Sequence, residues 1–425
     1  MSPEKSGPVP GRTLRSLDPY RASERKEPQV RILITAALMV AVVFGSTTIA
    51  RAAELDWDAL AKPMIKPFSL AEIRRQALAY ADTLQVPGRP LGCYFDGPGS
   101  TNAPSLYASC DVAHMRTVMG EDLQKTLTPA QREAWIDHIN SFARPDGTYG
   151  PGWKNHSSQH ANGMVIGAFG ALGGQQRHTV GLYDAFDTPE EVGPWLEKID
   201  WRKQWSGSHL FWGGMHCFSL SRRCTDVWRD TVFQWLDANL DPQTGWWRKG
   251  VPQAGPLEPL GGGAHIWPIY QHHRRRFPYP EQVINSILAL QKPGGSWLAY
   301  GSYMELDALY GLAYMSSLTP QYRHADILDA ARRHGRGLVE QWPAFLARKP
   351  DLHVLLGAVG AFGLLQQLLP ETFVDDARWT DIFSDPRFYR TRQVEVLENV
   401  RNGTKGPRAM STAEGSLACE SFSLR

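Results

Sequence analysis

Six apolar segments of the chain carry an aspartate or histidine at matching places: Asp111, His160, His209, His265, Asp307 and His353. The first two steps are 49 residues each, and the later ones are 56, 42 and 46. A period of this length accommodates one helix–turn–helix unit, and a single unit cannot bury its own apolar face. Six stacked helix pairs are expected. If the stack closes on itself, the fold is all-α, an (α/α)6 toroid of six helix pairs, and the six ionisable positions converge.

The local pattern agrees with that expectation. First helices of the pairs are read over 70–85, 129–143, 189–205, 225–240, 280–291 and 325–346, several opening with Pro or with a Thr, Ser or Asp start signal. Second helices are read over 106–120, 158–172, 208–221, 262–274, 302–316 and 352–369. These hold fewer charges and more Gly, Ala and aromatic residues, as helices buried on most sides do.

The turns joining partners also repeat. Phe142, Leu240 and Leu290 each precede a glycine by five residues (Gly147, Gly245, Gly295), and Tyr149, Trp247 or Trp297 follows two later. Glycine supplies the positive φ of a tight turn, and the aromatic packs back between neighbouring pairs. Asp96-Gly97 reads as a degenerate earlier copy. The motif resembles the QxxxGxW-type repeat of the prenyltransferase and squalene-cyclase alpha-toroid superfamily, and the resemblance covers most of 70–369. It implies the toroid fold. The DxDD signature of the cyclases is absent, since Asp375-Asp376 is only a pair, and no matching Asp/Cys/His zinc set of the prenyltransferases is found.

The ends read differently. Residues 1–52 are expected to be a signal peptide or signal anchor, with an uncharged apolar run ending near residue 50 and small residues Ala50 and Ala52 around a cleavage point. The run at 32–50 is just long enough for membrane anchoring if it is retained. Either outcome makes the protein exported, to the periplasm or beyond the cell. The toroid domain is assigned to 53–398, and 399–425 to a disordered polar tail. Among five cysteines, Cys93 and Cys110 flank a Gly/Pro loop and could be bridged, whereas no CxxC pair supports a structural zinc or redox motif. Lys and Arg total 45 against 43 for Asp and Glu, so no electrostatic footprint for nucleic acid exists.

The second helices carry the candidate chemistry. Tyr107, Asp111 and His114 follow a four-then-three spacing, as do Tyr303, Asp307 and Tyr310, which puts each set on one helical stripe. Glu305 falls on another face, as a cap or rim residue. His156 with His160, and His209 with His216, repeat the stripe. Alone, a helical aspartate is ordinarily a cap and a buried histidine a satisfied core residue. Recurrence at equivalent positions argues for a shared role. Asp111, Asp307, His160, His209 and Tyr303 are the catalytic candidates; Tyr107, His114, His156, His216, His265, Tyr310, His353, Trp212 and Trp267 are the substrate-binding ones. The run from His272 to Arg276 is read as a solvated basic helix end.

A carbohydrate-active enzyme is the first functional expectation, with glycan at the toroid mouth and either a carboxylate pair for hydrolysis or His/Tyr groups for uronate elimination or epimerisation. A terpenoid cyclase-like enzyme with Asp307 as initiating acid, and a non-catalytic glycan- or partner-binding toroid, are the alternatives. No organic cofactor is expected; a divalent metal could join His160, His209 and His265.

Overall fold

The computed structural model describes residues 67–396 apart from 101–102, 152–153 and 155. The expectations for 1–52, for the 32–50 run and for the 399–425 tail lie outside the described residues. Among the described residues no helix is long and apolar enough to cross a membrane.

The chain is predominantly helical. The first members of the pairs are α1 (Leu70–Asp82), α3 (Pro129–Asn140), α5 (Pro189–Leu196), α6 (Asp226–Ala238), α8 (Pro280–Leu290) and α10 (His324–Ala347). The second members are α2 (Leu106–Val118), α4 (Ser158–Leu172), a π-helical segment Phe211–His216, α7 (Glu258–His272), α9 (Tyr303–Leu318) and α11 (Leu352–Leu368). Start signals act as the sequence suggests. Thr128 and Thr188 form capping boxes with Gln131 and Glu191, each ahead of a proline.

Burial separates the two sets. All of α2 except Arg116 is buried, whereas α3 buries only Trp135, Ile139 and Asn140. Each second member packs on the second member of the following pair, and α11 packs on α2 as well as on α9. The tryptophans sit inside this arrangement: Trp135, Trp228, Trp247, Trp267, Trp297 and Trp379 are fully buried, each worth on the order of 3 kcal/mol of transfer free energy.

The turn motif has a clear physical role. Trp247 and Trp297 donate their indole N–H to Leu236 and Ile287, carbonyls near the ends of their own α6 and α8. Gly245 and Gly295 have φ of 74° and 92°, and a Cβ on them would lie 2.5 Å from Val283 Cγ2 and 2.7 Å from the Arg333 carbonyl carbon, both on the next first-member helix. Glycine is therefore needed twice over, for the turn and for the approach of the neighbour. The earliest copy is Gly92 with Tyr94, not Asp96-Gly97: Tyr94 bridges back to Gln85 as Tyr149 does to Ala143 and Trp247 to Leu240.

Three local expectations are corrected. The 189–205 helix stops at Leu196, because Trp201 turns back and donates to the Leu196 carbonyl; a separate turn follows at Gln204–Gly207. The 208–221 helix is π-wound at Phe211–His216. Cys93 and Cys110 are both free and buried, one in the Gln85–Tyr94 turn and the other inside α2. Two short strands, β1 (Phe68–Ser69) and β2 (Phe373–Val374), pair in parallel with Phe68 opposite Phe373.

Beyond β2 the chain runs back over the C-terminal ends of α2 and α4. Thr380 N–H donates to the Val118 carbonyl, and Arg387 donates to the Thr117 and Glu121 carbonyls at and just beyond the end of α2. A Cβ on Gly170 would lie 2.0 Å from the Arg387 carbonyl oxygen, and one on Gly363 would lie 1.9 Å from that of Thr380.

Candidate functional site

The second-member segments place five of the six repeat positions in one connected group. His353 Nδ1 is hydrogen-bonded to Asp111 Oδ1 at 2.9 Å and lies 3.4 Å from the Tyr303 hydroxyl. The Tyr107 hydroxyl is 2.8 Å from His160 Nδ1, with the two rings stacked. Ring centroids are 4.5 Å apart for His160 and His209 and 4.8 Å for His209 and His265. His265 Nδ1 is held by the Ser208 hydroxyl at 2.8 Å. His160, His265 and His353 thus each use one ring nitrogen on an oxygen from a neighbouring second-member segment.

His156 joins them from the loop before α4, with its ring 4.3 Å from His160 and 4.7 Å from His209. One ligand-capable atom from each of His156, His160 and His209 lies within 4.8 Å of the others. The trio expected for a divalent ion is therefore altered: His156 replaces His265, whose ring is 6.4 Å from His160. Two backbone features bring this about. Ser157 caps α4 by accepting the His160 N–H, and glycine at 213 lets the π segment meet α4 backbone to backbone, since a Cβ there would lie 1.6 Å from the Gln159 carbonyl oxygen.

His156, His209 and Tyr303 are half-buried, whereas Tyr107, Asp111, His160, His265, Asp307 and His353 are buried. Burial, followed by the nearby charges of Asp96 and Asp351, pushes the Asp111 carboxyl well above the usual carboxylate range. Burial, then Glu305, does the same to Asp307, one helical turn beyond Tyr303. Neither oxygen of Asp307 meets a hydrogen-bond partner. The imidazoles move the other way: burial pulls His160 and His209 well below their usual range, with neighbouring imidazoles adding, and holds His265 and His353 near about 3. Burial thus favours the neutral form of both carboxyls and of His160, His209, His265 and His353. It carries proton donors and acceptors with little net charge.

The remaining expected residues lie elsewhere. His114 is seven positions beyond Tyr107, about 10 Å along the helix; it bonds the Cys110 carbonyl and packs on Phe388, 4.7 Å away. His216 faces His272, Nε2 to Nδ1 3.1 Å, and both rings contact Tyr389. Tyr310 donates to Gln271 and packs on Phe383. Trp267 is core, stacked on Trp246. Trp212 stands behind the histidines, 5.1 Å from His160, and donates its N–H to Tyr389. His272 and His273 are not a solvated helix end: they engage His216 and Ser219, and only the three arginines that follow are exposed. Glu305 is neither cap nor rim. It is fully buried and accepts the Trp297 and Leu298 backbone N–H groups beside His334.

Asp375 and Asp376 both take Arg74, and Asp375 also accepts the Trp379 N–H, a role in holding the segment after β2. Two contributors escaped the sequence reading: Ser208 as partner of His265, and the 379–396 segment beneath Trp212, His114 and His216. The first is a lone serine without a motif. The second has no repeat to announce it.

No family model matches the chain, and no curated protein matches it significantly.

Proposed function

We propose that this chain is an exported acid–base enzyme built as an (α/α)6 toroid of the prenyltransferase and squalene-cyclase type, and that it cleaves a uronate-containing glycan by β-elimination. Ring closure is supported by the packing of α11 on α2, which joins the sixth pair to the first. The repeated Gly-x-aromatic turns support the superfamily resemblance.

The observation that carries the reaction class is the burial of Asp111 and Asp307, which pushes both carboxyls well above the usual carboxylate range. Hydrolysis by a carboxylate pair needs one member ionised as base or nucleophile. Burial disfavours the ionised form of both, which counts against the hydrolase branch. Elimination needs no carboxylate. Tyr107 passes its hydroxyl proton to His160 Nδ1 as it takes the proton beside the uronate carboxylate; the electron pair forms the new double bond, the glycosidic carbon–oxygen bond breaks, and Tyr303 gives its hydroxyl proton to the leaving oxygen with His353 and Asp111 behind it. The half-buried His156 and His209 face the incoming carboxylate, and an anion there offsets the desolvation that disfavours the charged form of His209.

The test is incubation of the full chain with neutral and uronate polysaccharides. An unsaturated-uronate chromophore that vanishes in Tyr303→Phe is the expected result; new reducing ends without it would return the reading to hydrolysis, and no change with either class would reject a glycan substrate.

A second reading rests on Asp307. A buried carboxyl pushed well above the usual carboxylate range, with both oxygens unpartnered, suits an initiating acid that protonates an alkene, as a terpenoid cyclase requires. Product formation from a squalene-like substrate, lost in Asp307→Asn, would favour it.

A further inference from the structure

We propose that His156, His160 and His209 bind a divalent transition-metal ion of the zinc type, with a fourth coordination position open toward the half-buried side of the group. The inference stands on side-chain placement and holds whether the substrate is a uronate or an alkene.

Three imidazoles from the loop before α4, from its first turn and from the segment before the π helix present ligand atoms within 4.8 Å of one another. Zinc–nitrogen bonds of about 2.0–2.1 Å put tetrahedral ligand atoms roughly 3.4 Å apart, so small side-chain rotations close the remaining distance. Three nitrogen ligands with one vacant position is the arrangement of catalytic zinc, and imidazole suits zinc, copper, nickel and iron far better than magnesium or calcium.

The surroundings match what a ligating histidine needs. Such a residue gives its second ring nitrogen to an oxygen, which fixes the ring and raises its donor strength. His160 has that partner in the Tyr107 hydroxyl, 2.8 Å from Nδ1, so Nε2 is the ring nitrogen left for the ion. With the ion bound, Nδ1–H donates to the Tyr107 oxygen, which makes that oxygen an acceptor. His265, 4.8 Å from His209 and fixed by Ser208, backs the group without belonging to it. The pair His216 and His272 at the C-terminal ends offers only two imidazoles, already bonded to each other, and is a natural control.

The experiment is titration of the chelator-treated full chain with Co²⁺ alone, followed by its visible absorption, and competition by Zn²⁺. The expected result is the intense band of four-coordinate cobalt saturating at roughly one equivalent and displaced by zinc. His209→Ala and His156→Ala each remove the band, Tyr107→Phe weakens binding by about 10-fold, and His272→Gln leaves it unchanged. Circular dichroism on each variant establishes that it is folded, and the two ligand variants cover for each other. No band in the parent chain, or a band retained in whichever ligand variant folds, overturns the proposal. Cobalt binding without any turnover leaves the site standing and rejects the reaction; turnover that survives complete metal removal rejects a catalytic part for the ion.

Discussion

His353 and Asp111 meet at 2.9 Å although 242 residues separate them, and the contact joins the first second-member helix to the last. Each occupies the repeat position of its own pair. The bond therefore ties the convergence of the repeat to the packing of α11 on α2 and puts a buried carboxyl behind Tyr303.

Asp111→Asn should cut turnover by about 10²- to 10⁴-fold, the usual worth of a positioned proton-transfer group, with little change in melting temperature. The amide keeps the shape and a hydrogen bond to His353 but removes the titratable proton. Asp307→Asn separates the two functional readings: loss of alkene-derived product with unchanged elimination supports the initiating acid. A drop in melting temperature with retained turnover would make either aspartate a structural residue.

Acid should destabilise the fold early. Burial holds His114 at about 4, His272 at about 3 and His273 at about 4, against 6.5 for the free side chain. These folded values are depressed. Their contribution is complete above about pH 6.5 and is lost as pH falls toward 4, because the unfolded chain binds protons that the folded one refuses. Each costs about 1 kcal/mol per pH unit in that window. Melting temperatures from pH 7 to 4.5 check this, and His272→Gln should flatten the slope.

Gly213→Ala should cost about 3 kcal/mol or more and pull His209 away from His156 and His160. The added methyl would lie 1.6 Å from the Gln159 carbonyl oxygen, and backbone on both sides must move. Urea unfolding measures the first effect. A variant of parental stability would show that the π segment tolerates displacement.

Glu305→Ala should destabilise by about 2–4 kcal/mol, since two backbone N–H groups in the turn after α8 lose their acceptor in a dry setting. Residual turnover per folded molecule should stay near the parental value. A selective loss of turnover at unchanged stability would instead put Glu305 in the site.

Much of the site was legible because helical periodicity determines which residues share a stripe. Tyr107 with Asp111, and Tyr303 with Asp307, follow from a spacing of four whatever the neighbours do, whereas His156 precedes α4 and reaches His160 from the loop. Depth along a stripe was legible in principle too: His114 and Tyr310 lie two turns beyond the mouth, and counting the rise would have removed them.

By itself the sequence determined the helical class, most of the helical segments, the Gly-x-aromatic turns and the residues those segments offer, since these depend on local hydrogen bonding, positive φ and apolar periodicity. Only the tertiary structure decided which stripes touch. That His156 rather than His265 joins His160 and His209 depends on the backbone approach at Gly213 and on the rotation of neighbouring helices. That His216 and His272 lie under Tyr389 depends on a non-repeating segment folding back across α2 and α4. Such contacts join residues far apart in the chain, and no local pattern encodes the packing that brings them together.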